Sequence, residues 1–174
     1  MTRLILLGGP VGVGKSSAMK LLKQRLRKVA LVDADETWNV SDDLAPAPHR
    51  GFAHKNIFAL VDGYLRAGVE TIVVNWVFAR PELYQPIIDH CGALVDEVYQ
   101  LYLVAHPNVI AARITQRWQQ DGENGDLDAL LDYAQTRLAL ITDLPFVKID
   151  NSQLSVAETA DAIAEWLAAQ EQRR

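Results

Sequence analysis

Gly9-Pro10-Val11-Gly12-Val13-Gly14-Lys15-Ser16 follows the apolar run Leu4-Ile5-Leu6-Leu7 and matches the pattern G-x-x-x-x-G-K-[ST]. Each residue type at that spacing has a task at a polyphosphate. The glycines let the backbone curl, so that N–H groups from Gly9 through Pro10, Val11, Gly12 and Val13 to the helix start at Ser16 and Ser17 can surround phosphate oxygens. Proline contributes only shape, because it has no N–H. Lys15 supplies a mobile positive charge for the β- and γ-phosphates, and the Ser16 hydroxyl is placed to ligate a bridging magnesium ion. The expected ligand is a nucleoside triphosphate, taken as ATP with Mg2+.

Two carboxylates close the second apolar run, in Leu31-Val32-Asp33-Ala34-Asp35. At a phosphoryl-transfer site one such group accepts the proton of an acceptor hydroxyl, and another holds magnesium directly or through water. Asp33 and Asp35 are the candidates, with Asp33 also a metal candidate beside Ser16. Arg113 and Arg117, four residues apart, share a helix face just before Asp121-Gly122-Glu123-Asn124-Gly125. Arg137 lies on the helix after that segment. Trp38, His49, Arg50, Phe52 and His54, with Asn75, Trp76 and Arg80 near the end of the third strand, make a mixed aromatic and cationic set. Such a lining suits a ring-bearing or anionic acceptor, although lone aromatics more often serve a core. The histidines show no metal-site spacing. Val147-Lys148-Ile149-Asp150 lacks the leading Asn or Thr of a guanine-reading motif and reads as a strand end.

Positioning these groups requires strands that deliver them to one edge. Leu4 to Leu7, Val29 to Val32, Thr71 to Val77, Val98 to Val104 and Phe146 to Ile149 are nearly continuous apolar runs, the pattern of a parallel sheet covered on both faces. Helical patterns separate them: Ser16 to about Lys28, about Phe52 to Ala67, Pro81 to His90, Pro107 to about Trp118, and Leu127 to Thr142. Ser155-Val156-Ala157-Glu158 is a capping box that opens the last helix. The expected fold is a three-layer α/β/α sandwich around a five-stranded parallel sheet. It forms a single domain over 1–174, with an acceptor-binding segment at about 33–60 and a short lid at about 118–127.

Composition bounds the rest. At 174 residues, 49% hydrophobic and 22% charged, the chain suits one soluble α/β unit. Seventeen basic and twenty-two acidic side chains leave a net charge of −5 without a long basic run, which argues against nucleic acid as the primary partner. The basic residues Lys20, Lys23, Arg25, Arg27 and Lys28 read as a solvated face near a helix C-terminus. The one cysteine, Cys91, excludes an internal disulfide and reads as packing filler. With no leader-like segment before the first strand and no membrane-length apolar run, a cytoplasmic monomer or homodimer is expected.

With its added Gly12, the phosphate loop resembles that of the small-molecule and nucleoside kinases of the P-loop class. Val-Asp-x-Asp at the second strand resembles shikimate kinases, and its Val-Asp resembles chloramphenicol phosphotransferases; the resemblance favours Asp33 as base or metal-shell residue, with Asp35 second. Arg113, Arg117 and the lid are similar to those of adenylate-kinase-like enzymes. That likeness implies Arg113 over the adenine, Arg117 on the phosphates as a catalytic group, and Asn151 beside the adenine. The layout, with Arg80-Pro81-Glu82-Leu83-Tyr84 after strand three, also resembles tunicamycin-resistance ATP-binding proteins. The glycine-rich third-strand motif of shikimate kinases is absent, and Asn75 stands where many P-loop enzymes place an acid. The implied activity is ATP-dependent phosphoryl transfer to a small-molecule hydroxyl or phosphate. The alternative is an ATP-binding or slow ATPase module that acts through nucleotide-dependent binding of a partner or ligand.

Overall fold

The computed structural model describes residues 1–41, 49–122 and 125–173, without the side chains of His49 and Arg50. Five parallel strands, β1 (Arg3–Gly8), β2 (Val29–Asp33), β3 (Thr71–Asn75), β4 (Glu97–Val104) and β5 (Val147–Asp150), form one sheet in the order β2-β3-β1-β4-β5. The helices are α1 (Lys15–Leu22), α2 (His49–Arg66), α3 (Pro81–Cys91), α4 (Pro107–Asp121), α5 (Leu127–Thr142) and α6 (Val156–Gln172). Alternation along each strand sends side chains to opposite faces. Leu4, Leu6, Ile72, Val74 and Tyr102 pack beneath α2 and α3, with Ile57, Val61 and Ile87. Ile5, Leu7, Val73, Leu101 and Leu103 pack against α1, α4 and α6, with Leu22, Ile114 and Ile163. The expected three-layer sandwich is therefore present. No helix among the described residues is long and apolar enough to cross a membrane.

Two of the element ends that differ from the sequence expectation shape the site. Helix α1 stops at Leu22 rather than near Lys28, because residues 24–26 donate back to Leu21 and Leu22 in tight turns and Lys28 takes a left-handed φ of 47°. The Lys28 carbonyl then accepts from Glu70 and Thr71 backbone N–H groups, which pins the entry to β2. Strand β3 stops at Asn75 rather than Val77. There Phe78, fully buried, adopts φ 48°, while the Val77 carbonyl accepts from Gly9 N–H at 3.3 Å. A left-handed φ at a bulky residue is costly. Here it carries the chain over the phosphate loop, and the Tyr102 hydroxyl donates to the Phe78 carbonyl at 3.0 Å.

Candidate active site

Sheet order explains how the two acids reach the phosphate loop. Strands β1 and β2 are not neighbours; β3 lies between them, and Asp33 pairs in register with Asn75, which pairs with Leu7. The Asn75 side chain, 1% exposed, bridges the gap by donating to Asp33 Oδ2 at 2.8 Å and to Ser16 Oγ at 3.1 Å. Ser16 Oγ in turn donates to Asp33 Oδ2 at 2.8 Å. Asp33 thus faces Ser16 and Asn75, and its other oxygen accepts from Asp35 N–H at 3.2 Å. Asp35 is held differently: the Trp76 indole Nε1–H donates to its Oδ1 at 3.0 Å. Burial, reinforced by the neighbouring Asp33 charge, raises the Asp35 pKa above the ordinary carboxylate value.

Gly14, whose φ of 99° is left-handed, is the N-cap of α1, and no side chain among the described residues caps it. Its first N–H groups are therefore available to an anion. Lys15 Nζ donates to the Gly9 and Pro10 carbonyls at 2.9 and 3.0 Å, so the loop holds its own lysine. Desolvation lowers the Lys15 pKa to about 8, against the raising influence of Asp35 and Asp33 and with a further lowering from Arg117. Gly12, at φ 78°, lies against α4: a Cβ there would sit 2.4 Å from Ile114 Cγ1.

The loop opens into a cleft of about 660 Å³. Its walls are the loop itself, Asp35, Asn75 and Val77, the α4 face bearing Arg113 and Arg117, and the segment from Asn151 to Thr159 at the start of α6. Nucleotide-sized ligands fit a volume of this order. Arg113 and Asn151 meet at the base of this cleft: Arg113 donates to Asn151 Oδ1 at 3.2 Å and to its carbonyl at 3.0 Å. Arg137 lies instead over the Tyr133 ring, 4.6 Å from its centroid, on α5.

Of the residues expected to line an acceptor, His54 is buried, its Nε2 3.0 Å from the Leu83 carbonyl, stacked on Phe58 and edge-on to Trp76. It is a packed residue in this structure, as is Trp76 apart from its Nε1–H. Arg80 is exposed at the start of α3. The side chains of His49 and Arg50, and Glu123 and Asn124 of the expected lid, lie outside the described residues. Burial pushes the Cys91 thiol up to about 12, which leaves no thiolate at neutral pH.

Several participants left little trace in the sequence. Trp76 carried no sign that its indole would orient Asp35, and Val77 and Leu154 are apolar residues indistinguishable from core. Asn75 had a usable signal: a lone amide closing the run Ile72-Val73-Val74, where many P-loop enzymes place an acid.

The three-layer α/β/α fold is shared with several solved structures. The tunicamycin resistance protein of Deinococcus radiodurans superposes with TM-score 0.70 at 20% identity, covering 96% of each chain. A protein from Chloroflexus aurantiacus, assigned as a kinase, gives 0.67 at 21% identity over 97% of both chains. A sugar kinase from Janibacter gives 0.67 at 17% identity, over 97% of this chain and 95% of that one. No family model matches the sequence, and no curated protein matches it.

Proposed function

We propose that this protein is an ATP-dependent phosphotransferase acting on a hydroxyl or phosphate of a small molecule. The observation that supports it most is the convergence of Lys15, Ser16 and Asp35 on the cleft lined by the phosphate loop, with Asp33 hydrogen-bonded to Ser16. Lys15 leaves the Gly9 and Pro10 carbonyls to meet the phosphates, and Arg117 on α4 neutralises charge that develops on the transferring group. Asp33 is occupied by Ser16 and Asn75, which fits a metal-side role. Asp35, oriented by Trp76 and raised in pKa, accepts the acceptor proton.

Ser16 and Asp33 present hard oxygens 2.8 Å apart, and the buried Asn75 Oδ1 has no hydrogen-bond partner among the described residues, which leaves it open to a donor from outside the chain. These residues fit magnesium: Ser16 and Asp33 would hold it, and the ion would neutralise phosphate charge. Among the described residues no group of three or more His, Cys, Asp or Glu could hold a metal ion.

The experiment is to follow the γ-phosphate of labelled ATP with Mg2+ against nucleosides, nucleotides, sugars and antibiotics, using Lys15→Ala as control. Sugars and tunicamycin come first in the panel, given the sugar kinase and the tunicamycin resistance protein that share the fold. Transfer to one acceptor, lost in Lys15→Ala, is the expected result. In that assay Asp35→Asn should lower turnover far more than nucleotide affinity, whereas Asp33→Asn should weaken Mg-ATP binding. A second reading, an ATP-binding or slow ATPase module, draws on the amide at Asn75 where a carboxylate would add negative charge. Tight ATP binding with phosphate released only to water would favour it.

A further inference from the structure

One carbonyl of the phosphate loop is gripped from two distant parts of the chain. The Val13 carbonyl accepts from Asn151 Nδ2 at 2.8 Å and from Arg113 Nη1 at 3.2 Å. The two donors also bind each other, through Arg113 Nη1 to Asn151 Oδ1 and Arg113 Nη2 to the Asn151 carbonyl. Asn151 is 2% exposed, and its own N–H is fixed on the Val104 carbonyl at 2.9 Å, so the anchor is rigid.

Peptide geometry gives this grip a consequence. In a planar trans peptide the C=O of Val13 and the N–H of Gly14 point in opposite directions. Two donors on the carbonyl therefore turn the Gly14 N–H away from themselves. Gly14, at φ 99° and without a Cβ, could otherwise let this peptide rotate at little cost.

We propose that Arg113 and Asn151 are positioning residues of the phosphate loop, holding the Val13–Gly14 peptide in its anion-binding orientation and so setting affinity for polyphosphate independently of any base. This rests on the reading above that the loop binds a nucleoside triphosphate. Every donor the structure gives Asn151, and three Arg113 contacts, are directed at protein atoms of the loop and its anchor.

The test is calorimetric titration of wild type, Arg113→Met and Asn151→Ala with Mg-ATP and with magnesium tripolyphosphate, which carries no base. Each variant should lose about tenfold or more in affinity for both ligands, with the ratio between them unchanged. Combining the substitutions should lose less than the sum, since both act on one carbonyl. Stoichiometry separates the roles: a merely structural defect reduces the number of competent sites, while the affinity of those remaining stays at the wild-type value. Arg113→Lys, which keeps the charge and one donor group, should recover part of the loss for tripolyphosphate and covers the case in which Arg113→Met does not fold. Wild-type tripolyphosphate affinity in the variants, with weakened ATP binding alone, would overturn the proposal in favour of base contact. Silence of the wild type toward both ligands would instead overturn the triphosphate reading, and this proposal with it.

Discussion

Replacing Gly12 with alanine tests the packing of the phosphate loop against α4. The φ of 78° places an L side chain in the left-handed region, at a cost of about 1–2 kcal/mol. The new Cβ would also meet Ile114 Cγ1 at 2.4 Å and Cδ1 at 2.9 Å, with the Ile110 carbonyl at 3.3 Å behind them. Ile114 is 1% exposed and has little room to yield, so overpacking adds about 1–3 kcal/mol. The sum, about 2–5 kcal/mol, is a large share of ordinary domain stability. Gly14 is the internal comparison: its φ of 99° is equally left-handed, but the nearest atom to an added Cβ is Asn151 Nδ2 at 3.8 Å. Gly14→Ala should therefore cost only the backbone term, about 1–2 kcal/mol. Urea unfolding followed by tryptophan fluorescence, in wild-type and Ile114→Ala backgrounds, separates the contributions. With Ile114 truncated, Gly12→Ala should cost about 1–2 kcal/mol, and the coupling should equal the steric part. Equal costs for Gly12→Ala in both backgrounds, or a cost no greater than that of Gly14→Ala, would refute the contact with α4.

Further outcomes follow from the same geometry. Lys15, with its pKa lowered from 10.5 to about 8, binds fewer protons folded than unfolded between those values, so its desolvation penalty is complete below about pH 8 and lifts as pH rises towards 10.5. Phosphate binding restores the charge; titration of nucleotide at pH 8.5 in buffers of different ionisation enthalpy should show proton uptake that Lys15→Arg lacks. Trp76→Phe removes the donor that lowers the Asp35 pKa, so the acid limb of the turnover profile should move to higher pH if Asp35 is the base; an unmoved limb with lost turnover would count against that role. Gly63 lies inside α2, and among the described residues no atom beyond its own helix backbone comes within 4 Å of an added Cβ, so Gly63→Ala should stabilise the fold by about 0.5–1 kcal/mol in thermal unfolding.

What could be read from the sequence was what depends on neighbours along the chain. The phosphate loop is contiguous, so glycine spacing, lysine and serine make its turn legible before any packing occurs. Apolar runs and the Ser155–Glu158 capping box likewise located five strands and the start of α6, since periodicity and caps are local. Element ends were less legible: the turns after Leu22 lead into Lys28, whose carbonyl accepts from Glu70 and Thr71, and the αL residue Phe78 follows β3, where the Val77 carbonyl accepts from Gly9, all contacts distant in sequence.

The arrangement around the loop was decided by tertiary structure. Strand order placed β3 between β1 and β2, which turned Asn75 from an unexplained amide into the bridge between Ser16 and Asp33. Trp76 found Asp35 41 residues away, and the Val13 carbonyl found Arg113 and Asn151 across separations of 100 and 138 residues. Asparagine, arginine and tryptophan each have donors that suit many partners, so type alone cannot select one. Only the packing of helices on both faces of the sheet brings a particular donor within 3 Å or so of a particular acceptor and removes the water that would otherwise satisfy both.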